Sequence, residues 1–88
     1  VPHRRTASTA AARRKSFRQR YDELEARRAE LIVRLTSLGE RARRHPAYKR
    51  ALTLLNSKFR KVRLAQRVAV LEAAAFLIAL LERLTVAG

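Results

Sequence analysis

Five arginines, Arg13, Arg20, Arg27, Arg34 and Arg41, recur every seven residues, a spacing that lines them along one edge of an α-helix. Such a ladder of guanidinium groups can track successive phosphates of a nucleic acid, because each presents a planar fork of donors that matches phosphate oxygens. The same ladder also suits a solvated flank that sets how a helix pairs with its neighbour. Glu23 stands four residues before Arg27, and Glu30 four before Arg34. That is the favourable order for ion pairs along a helix, and it assigns these two arginines to the structural role. Arg13 and Arg20 have no such acids and are left for a polyanion.

The formal net charge is +14, and it is unevenly spread. Residues 1–20 hold seven basic side chains and no acid, and residues 46–67 hold another seven and no acid, whereas residues 21–45 are nearly balanced. Acid-free basic blocks attract polyanions. If the two halves of the chain fold antiparallel, Lys58, Arg60, Lys61, Arg63 and Arg67 come level with Asp22, Glu23, Glu25 and Glu30, and ion pairing consumes part of the second block. Two clusters escape this cancellation. One is the tail cluster, Arg4, Arg5, Arg13, Arg14, Lys15, Arg18 and Arg20; the other is the turn cluster, Arg41, Arg43, Arg44, Lys49 and Arg50, around His45. These are the expected polyanion-binding residues, and backbone N–H groups at the start of the helix after His45 would add to the second cluster. The preference for Arg over Lys adds little, since GC-rich coding also produces it.

Other chemistry is missing. There is no cysteine, and the two histidines, His3 and His45, are far apart, so no metal site and no cofactor are expected. Nothing resembles a nucleophile–base pair or a Gly-rich phosphate loop, and the chain is not expected to be an enzyme. Phe17, Tyr21, Tyr48, Phe59 and Phe76 all fall on apolar seams, which makes them core residues rather than platforms for stacked bases.

The elements that must carry these residues are helices. Phe17, Leu24, Leu31 and Leu38 alternate with Tyr21, Leu35 and Ala42 in steps of four and three, with Arg28 the one polar residue on the seam. The spacing predicts a first helix over about 16–43, capped by Ser16, with Gly39 a competing stop overruled by Ala42 and the Glu40–Arg44 pair. His45-Pro46 breaks the chain, because proline disfavours a helical residue before it and suits the first position of a new helix. A second seam, Tyr48, Leu52, Leu55, Phe59, Val62, Gln66, Ala69, Ala73, Phe76 and Leu80, predicts one unbroken helix over about 46–86. Residues 1–15 lack large apolar side chains after Val1 and are expected to be a flexible basic tail. They match a mitochondrial presequence superficially, but the charge continues into the helical region without a cleavage-like break.

The expected fold is thus all-α, an antiparallel hairpin of unequal helices spanning about 42 Å and about 60 Å at 1.5 Å per residue. Helix 1 runs out near residue 74, yet the most apolar stretch, residues 75–81, lies beyond. A helix apolar on all sides is buried on all sides. Leu64, Val68, Leu71, Ala75, Phe76, Leu77, Ile78, Leu80, Leu81 and Leu84 are therefore the expected oligomer interface, most simply of a homodimeric helical bundle. A membrane span is disfavoured, because the nearly uncharged stretch is shorter than the ~20 residues a bilayer needs and contains Glu72. The composite expectation is a cytoplasmic, self-associating protein that binds DNA or RNA through backbone phosphates. The competing expectation is an assembly module whose apolar helix docks another protein, with the positive charge favouring an acidic partner.

Overall fold

The computed structural model describes residues 16–87, with side chains described as far as Thr85. Every element among the described residues is helical, in agreement with the all-α expectation. Helix α1 spans Phe17–Thr36. It opens on a capping box: the Ser16 hydroxyl accepts from the Gln19 N–H at 3.1 Å, and the Gln19 side-chain oxygen accepts from the Ser16 N–H at 2.9 Å. Two first-turn donors that a helix otherwise leaves unpaired are satisfied this way.

Helix α1 ends at Thr36, earlier than the seam predicts. The Thr36 hydroxyl donates to the Ile32 carbonyl at 2.8 Å, and the Ser37 hydroxyl to that of Val33 at 2.6 Å. Such side-chain bonds compete with the main-chain ladder and favour its termination. Gly39 then serves as the N-cap of a single-turn helix, α2 (Glu40–Arg43). Ala42 keeps its place on the seam and is buried, although the helix carrying it is a separate one.

The break at His45-Pro46 is where the sequence places it. Pro46 occupies the first turn of α3, and His45 caps it, its Nδ1 accepting from the Ala47 N–H at 3.0 Å. Helix α3 is α-helical over Pro46–Thr53, π-helical over Leu54–Lys58 and α-helical again over Phe59–Lys61. Its buried residues, Ala47, Ala51, Leu55 and Phe59, repeat every four positions. In an α-helix of 3.6 residues per turn this row would drift by about 40° per step. A wider turn with i→i+5 bonding offsets the drift and keeps Leu55 and Phe59 on the core side. No turn interrupts Asn56-Ser57, as expected, but the backbone there is π-helical rather than α-helical.

The expected continuous helix over 46–86 does not exist. Val62 is extended, with φ −95° and ψ 159°, and the chain reverses into α4 (Leu64–Ala87). The two-helix hairpin is replaced by three long helical segments, with α4 packed on both α1 and α3. Residue pairings give the directions. Arg28 of α1 meets Leu55 and Asn56 of α3, while Leu24 lies beside Val68 and Leu71, and Arg34 meets Glu82. Helix α4 therefore runs parallel to α1, and α3 runs antiparallel to both.

This topology supplies much of the cover that a hairpin lacks. Val70, Leu71, Ala74, Ile78 and Leu81 of α4 join Leu31, Leu35, Ala42, Ala47, Ala51, Leu55 and Phe59 in one core. Fully burying a side chain of Leu, Ile or Phe size contributes about 1.5–3 kcal/mol. Of the expected oligomer interface, Leu71, Ile78 and Leu81 are thus spent within the chain itself. The rest of α4 is less enclosed: Phe76 is 70% exposed, Val68 47% and Leu84 45%, while Leu64, Ala75, Leu77 and Leu80 are half-buried. Residues 64–85 are long and apolar enough to cross a bilayer; an 18-residue window within them has a mean hydropathy of 1.9, and only 28% of that window is buried.

Candidate polyanion-binding surface

The surface is defined by which basic side chains are already occupied. Arg27 pairs with Glu30 at 3.2 Å, one turn away. Arg34 does not pair along its own helix but reaches across to α4, its Nη2 and Nε donating to the two Glu82 oxygens at 2.6 and 3.2 Å. This two-pronged bond and the carboxylate's charge raise the Arg34 pKa above its ordinary value, against a smaller opposing effect of burial. Both middle rungs of the arginine ladder thus hold an acid, but with other pairings than the spacing predicts: Glu30 serves Arg27 in place of Arg34, and Arg34 uses a partner 48 residues away. Arg18 is paired with Asp22 at 3.4 Å and Arg43 more loosely with Glu40 at 3.9 Å.

Two further arginines are occupied by packing. Arg28 donates from Nε to the Leu55 carbonyl at 2.6 Å and from Nη2 to the Asn56 side-chain oxygen at 2.8 Å, both within the π-helical turn. Its guanidinium also lies 5.7 Å from the centre of the Phe59 ring, and that of Arg67 lies 4.6 Å from the same ring and 5.7 Å from that of Tyr21. Cations over aromatic faces are held electrostatically. Arg67, the last basic residue of the second acid-free block, is thereby committed to the fold. Phe59 is fully buried and Tyr48 half-buried, in line with core roles, whereas Phe17 and Phe76 are each 70% exposed.

What remains free is concentrated on α3 and the turn after it. Lys49, Arg50, Lys58, Arg60, Lys61 and Arg63 are all exposed, and no ion pair among the described residues reaches any of them. None of the ion pairs among the described residues joins this block to Asp22, Glu25 or Glu30 of α1, where the hairpin would have set it. Lys49, Arg50 and Lys58 line one shallow groove of about 390 Å³, together with Pro46, Thr53 and Leu54. Lys58, Arg60, Lys61 and Arg63 are not among the expected site residues; their signal is their place in an acid-free block, which an antiparallel hairpin would have set against the acids of α1.

The turn cluster is divided by the fold. Arg44 is exposed beside the start of α3, whereas Arg41 lines a different groove with Ala42, His45, Leu81, Leu84 and Thr85. Arg20 lines a third groove of about 410 Å³ with Glu23, Leu24, Leu64, Ala65 and Val68. The start of α3 offers no anion site. Pro46 has no N–H, that of Ala47 is taken by His45 Nδ1, and that of Tyr48 donates to the His45 carbonyl at 3.0 Å. Arg4, Arg5, Arg13, Arg14 and Lys15 lie outside the described residues. Among the described residues no group of three or more His, Cys, Asp or Glu is placed to hold a metal ion.

No family model matches the chain, and no curated protein or solved structure is detectably similar to it.

Proposed function

We propose that this chain is a small basic helical protein that binds nucleic acid through backbone phosphates, with little sequence readout, and that it acts as a homo-oligomer. The observation that carries the first part is the run of exposed, unpaired cations along α3 and the following turn: Lys49, Arg50, Lys58, Arg60, Lys61 and Arg63. Phosphate contacts of this kind position a protein on a duplex without reading its bases. The apolar surface left on α4 supports the second part, and a cytoplasmic setting fits both. Binding of a random-sequence duplex should be tight at ~50 mM salt and fall steeply by ~200 mM, because each neutralised phosphate releases counterions. Fluorescence anisotropy that detects no complex at the lower salt sinks the nucleic-acid reading.

A second reading is favoured by the exposure of Phe76 on a helix whose residues 64–85 are long and apolar enough to cross a bilayer. Here α4 docks a different protein, or a membrane, and the basic face merely selects an acidic partner. Purification at low salt separates the readings, since recovery of a bound protein in place of nucleic acid would favour the second.

A further inference from the structure

The outward face of α4 is ordered in a way that the total apolarity of the helix hides. Val70, Leu71, Ala74, Ile78 and Leu81 point into the core. On the opposite side lie Ala65, Ala69, Glu72, Phe76, Ala79 and Arg83, all exposed. These six step along the helix by four, three, four, three and four residues, the spacing that lets side chains interlock between two helices. Four of the six layers are alanine or phenylalanine. The other two carry opposite charges, and neither Glu72 nor Arg83 takes part in an ion pair among the described residues.

The charges and sizes along this seam select one occupant and one arrangement. We infer that α4 pairs antiparallel with α4 of a second copy of this chain, about a two-fold axis between Leu77 and Ile78. In that register Glu72 faces Arg83 of the second copy at both ends, and each Phe76 lies over the small Ala79 of the other. The overlap runs from residue 68 to residue 87, about 30 Å of helix. A parallel pair would set Glu72 against Glu72 and Arg83 against Arg83, which is repulsive in both layers. The one other antiparallel register that keeps the seams in step over a comparable length is centred on Ala74. It presses the Glu72 carboxylate against a Phe76 ring, leaving a charge desolvated without a partner. Only the first register gives a complementary partner to the two charged layers and to the bulky one. The inference rests on the self-association part of the proposed function and is independent of nucleic-acid binding.

The chain has no cysteine, so single-cysteine variants report the register directly. Disulfides form only between Cα atoms within about 7 Å. On oxidation, a mixture of Glu72→Cys and Arg83→Cys chains should give the mixed 72–83 disulfide dimer in preference to either homodimer. Sedimentation should show Glu72→Arg and Arg83→Glu each weakening the dimer by ~10-fold or more, with the double reversal restoring it. All these positions are exposed, and unchanged helicity by circular dichroism separates lost pairing from lost folding. Preferential 72–72 and 83–83 disulfides, or single reversals that leave dimerisation unchanged, overturn the register while leaving self-association standing. A wild-type chain that remains monomeric at ~100 µM by light scattering overturns both, and co-sedimentation of that monomer with uncharged phosphatidylcholine vesicles, which the basic face does not attract, would identify a bilayer as the occupant of α4. Anisotropy with the duplex, measured on the same sample, reports the nucleic-acid reading separately.

Discussion

Arg28 is the one polar side chain on the apolar seam of α1, and in sequence it looks like a flaw in the pattern. In the fold it serves the π-helical turn of α3: Nε and Nη2 bond two successive residues of that turn, and the guanidinium rests against Phe59. A charged hydrogen bond of this kind contributes about 1.5–3 kcal/mol, more than a neutral one. Arg28→Ala should therefore cost about 2 kcal/mol, seen in thermal denaturation as a fall of roughly 10 °C. Arg28→Lys should recover little, because an ammonium lacks the planar fork that reaches both acceptors. A loss below ~0.5 kcal/mol for the alanine variant would show that the turn stands without its arginine. The anomaly was visible in the sequence, but its purpose was not, since the partners lie 27 and 28 residues away and only the packing of α1 on α3 brings them together.

Among the elements, those with local chemistry at their ends were legible. Ser16 with Gln19 starts α1, and His45-Pro46 starts α3. The reversal at Val62-Arg63 was not, because no Gly, Pro, Asn, Asp or Ser occurs between Lys58 and Ala79 to announce it. The four–three rhythm also ran through that point unbroken, since α4 is apolar all round and fits a seam on any side. Its buried row turned out to be Val70, Ala74, Ile78 and Leu81, and most of the predicted seam, with Ala69, Ala73 and Phe76, faces outward. The reversal is thus imposed by tertiary burial over the local tendency to continue the helix. A substitution at Arg63 tests this by sign. Arg63 precedes the first residue of α4, where Ser caps well, so Arg63→Ser should stabilise the protein by about 0.5–1 kcal/mol in urea denaturation. In an uninterrupted helix the same change would be destabilising, because Ser is the poorer helix former.

Over the whole molecule, the charge that suits a polyanion works against the fold. With 21 basic side chains against seven acids, most cations have no acid available to them, and of the four ion pairs among the described residues only Arg34–Glu82 joins two helices. Exposed pairs contribute about 0–1 kcal/mol each, whereas like charges crowded on α3 repel one another and favour the expanded chain. Salt should then act with opposite sign on stability and on binding. Raising NaCl from ~20 mM to ~500 mM shortens the screening length from roughly 20 Å to about 4 Å, so Tm should rise by several degrees while affinity for the duplex collapses. The two effects should be traceable to the same residues. Replacing Lys49, Arg50 and Lys58 together with Gln should raise Tm at low salt and flatten its salt dependence. If all three meet phosphates, the same variant should make the slope of log affinity against log salt shallower by about 0.9 per lost contact. A variant whose stability rises while its binding slope is unchanged would place the phosphate contacts elsewhere on the chain, and the groove on α3 would then be only a site of stored repulsion.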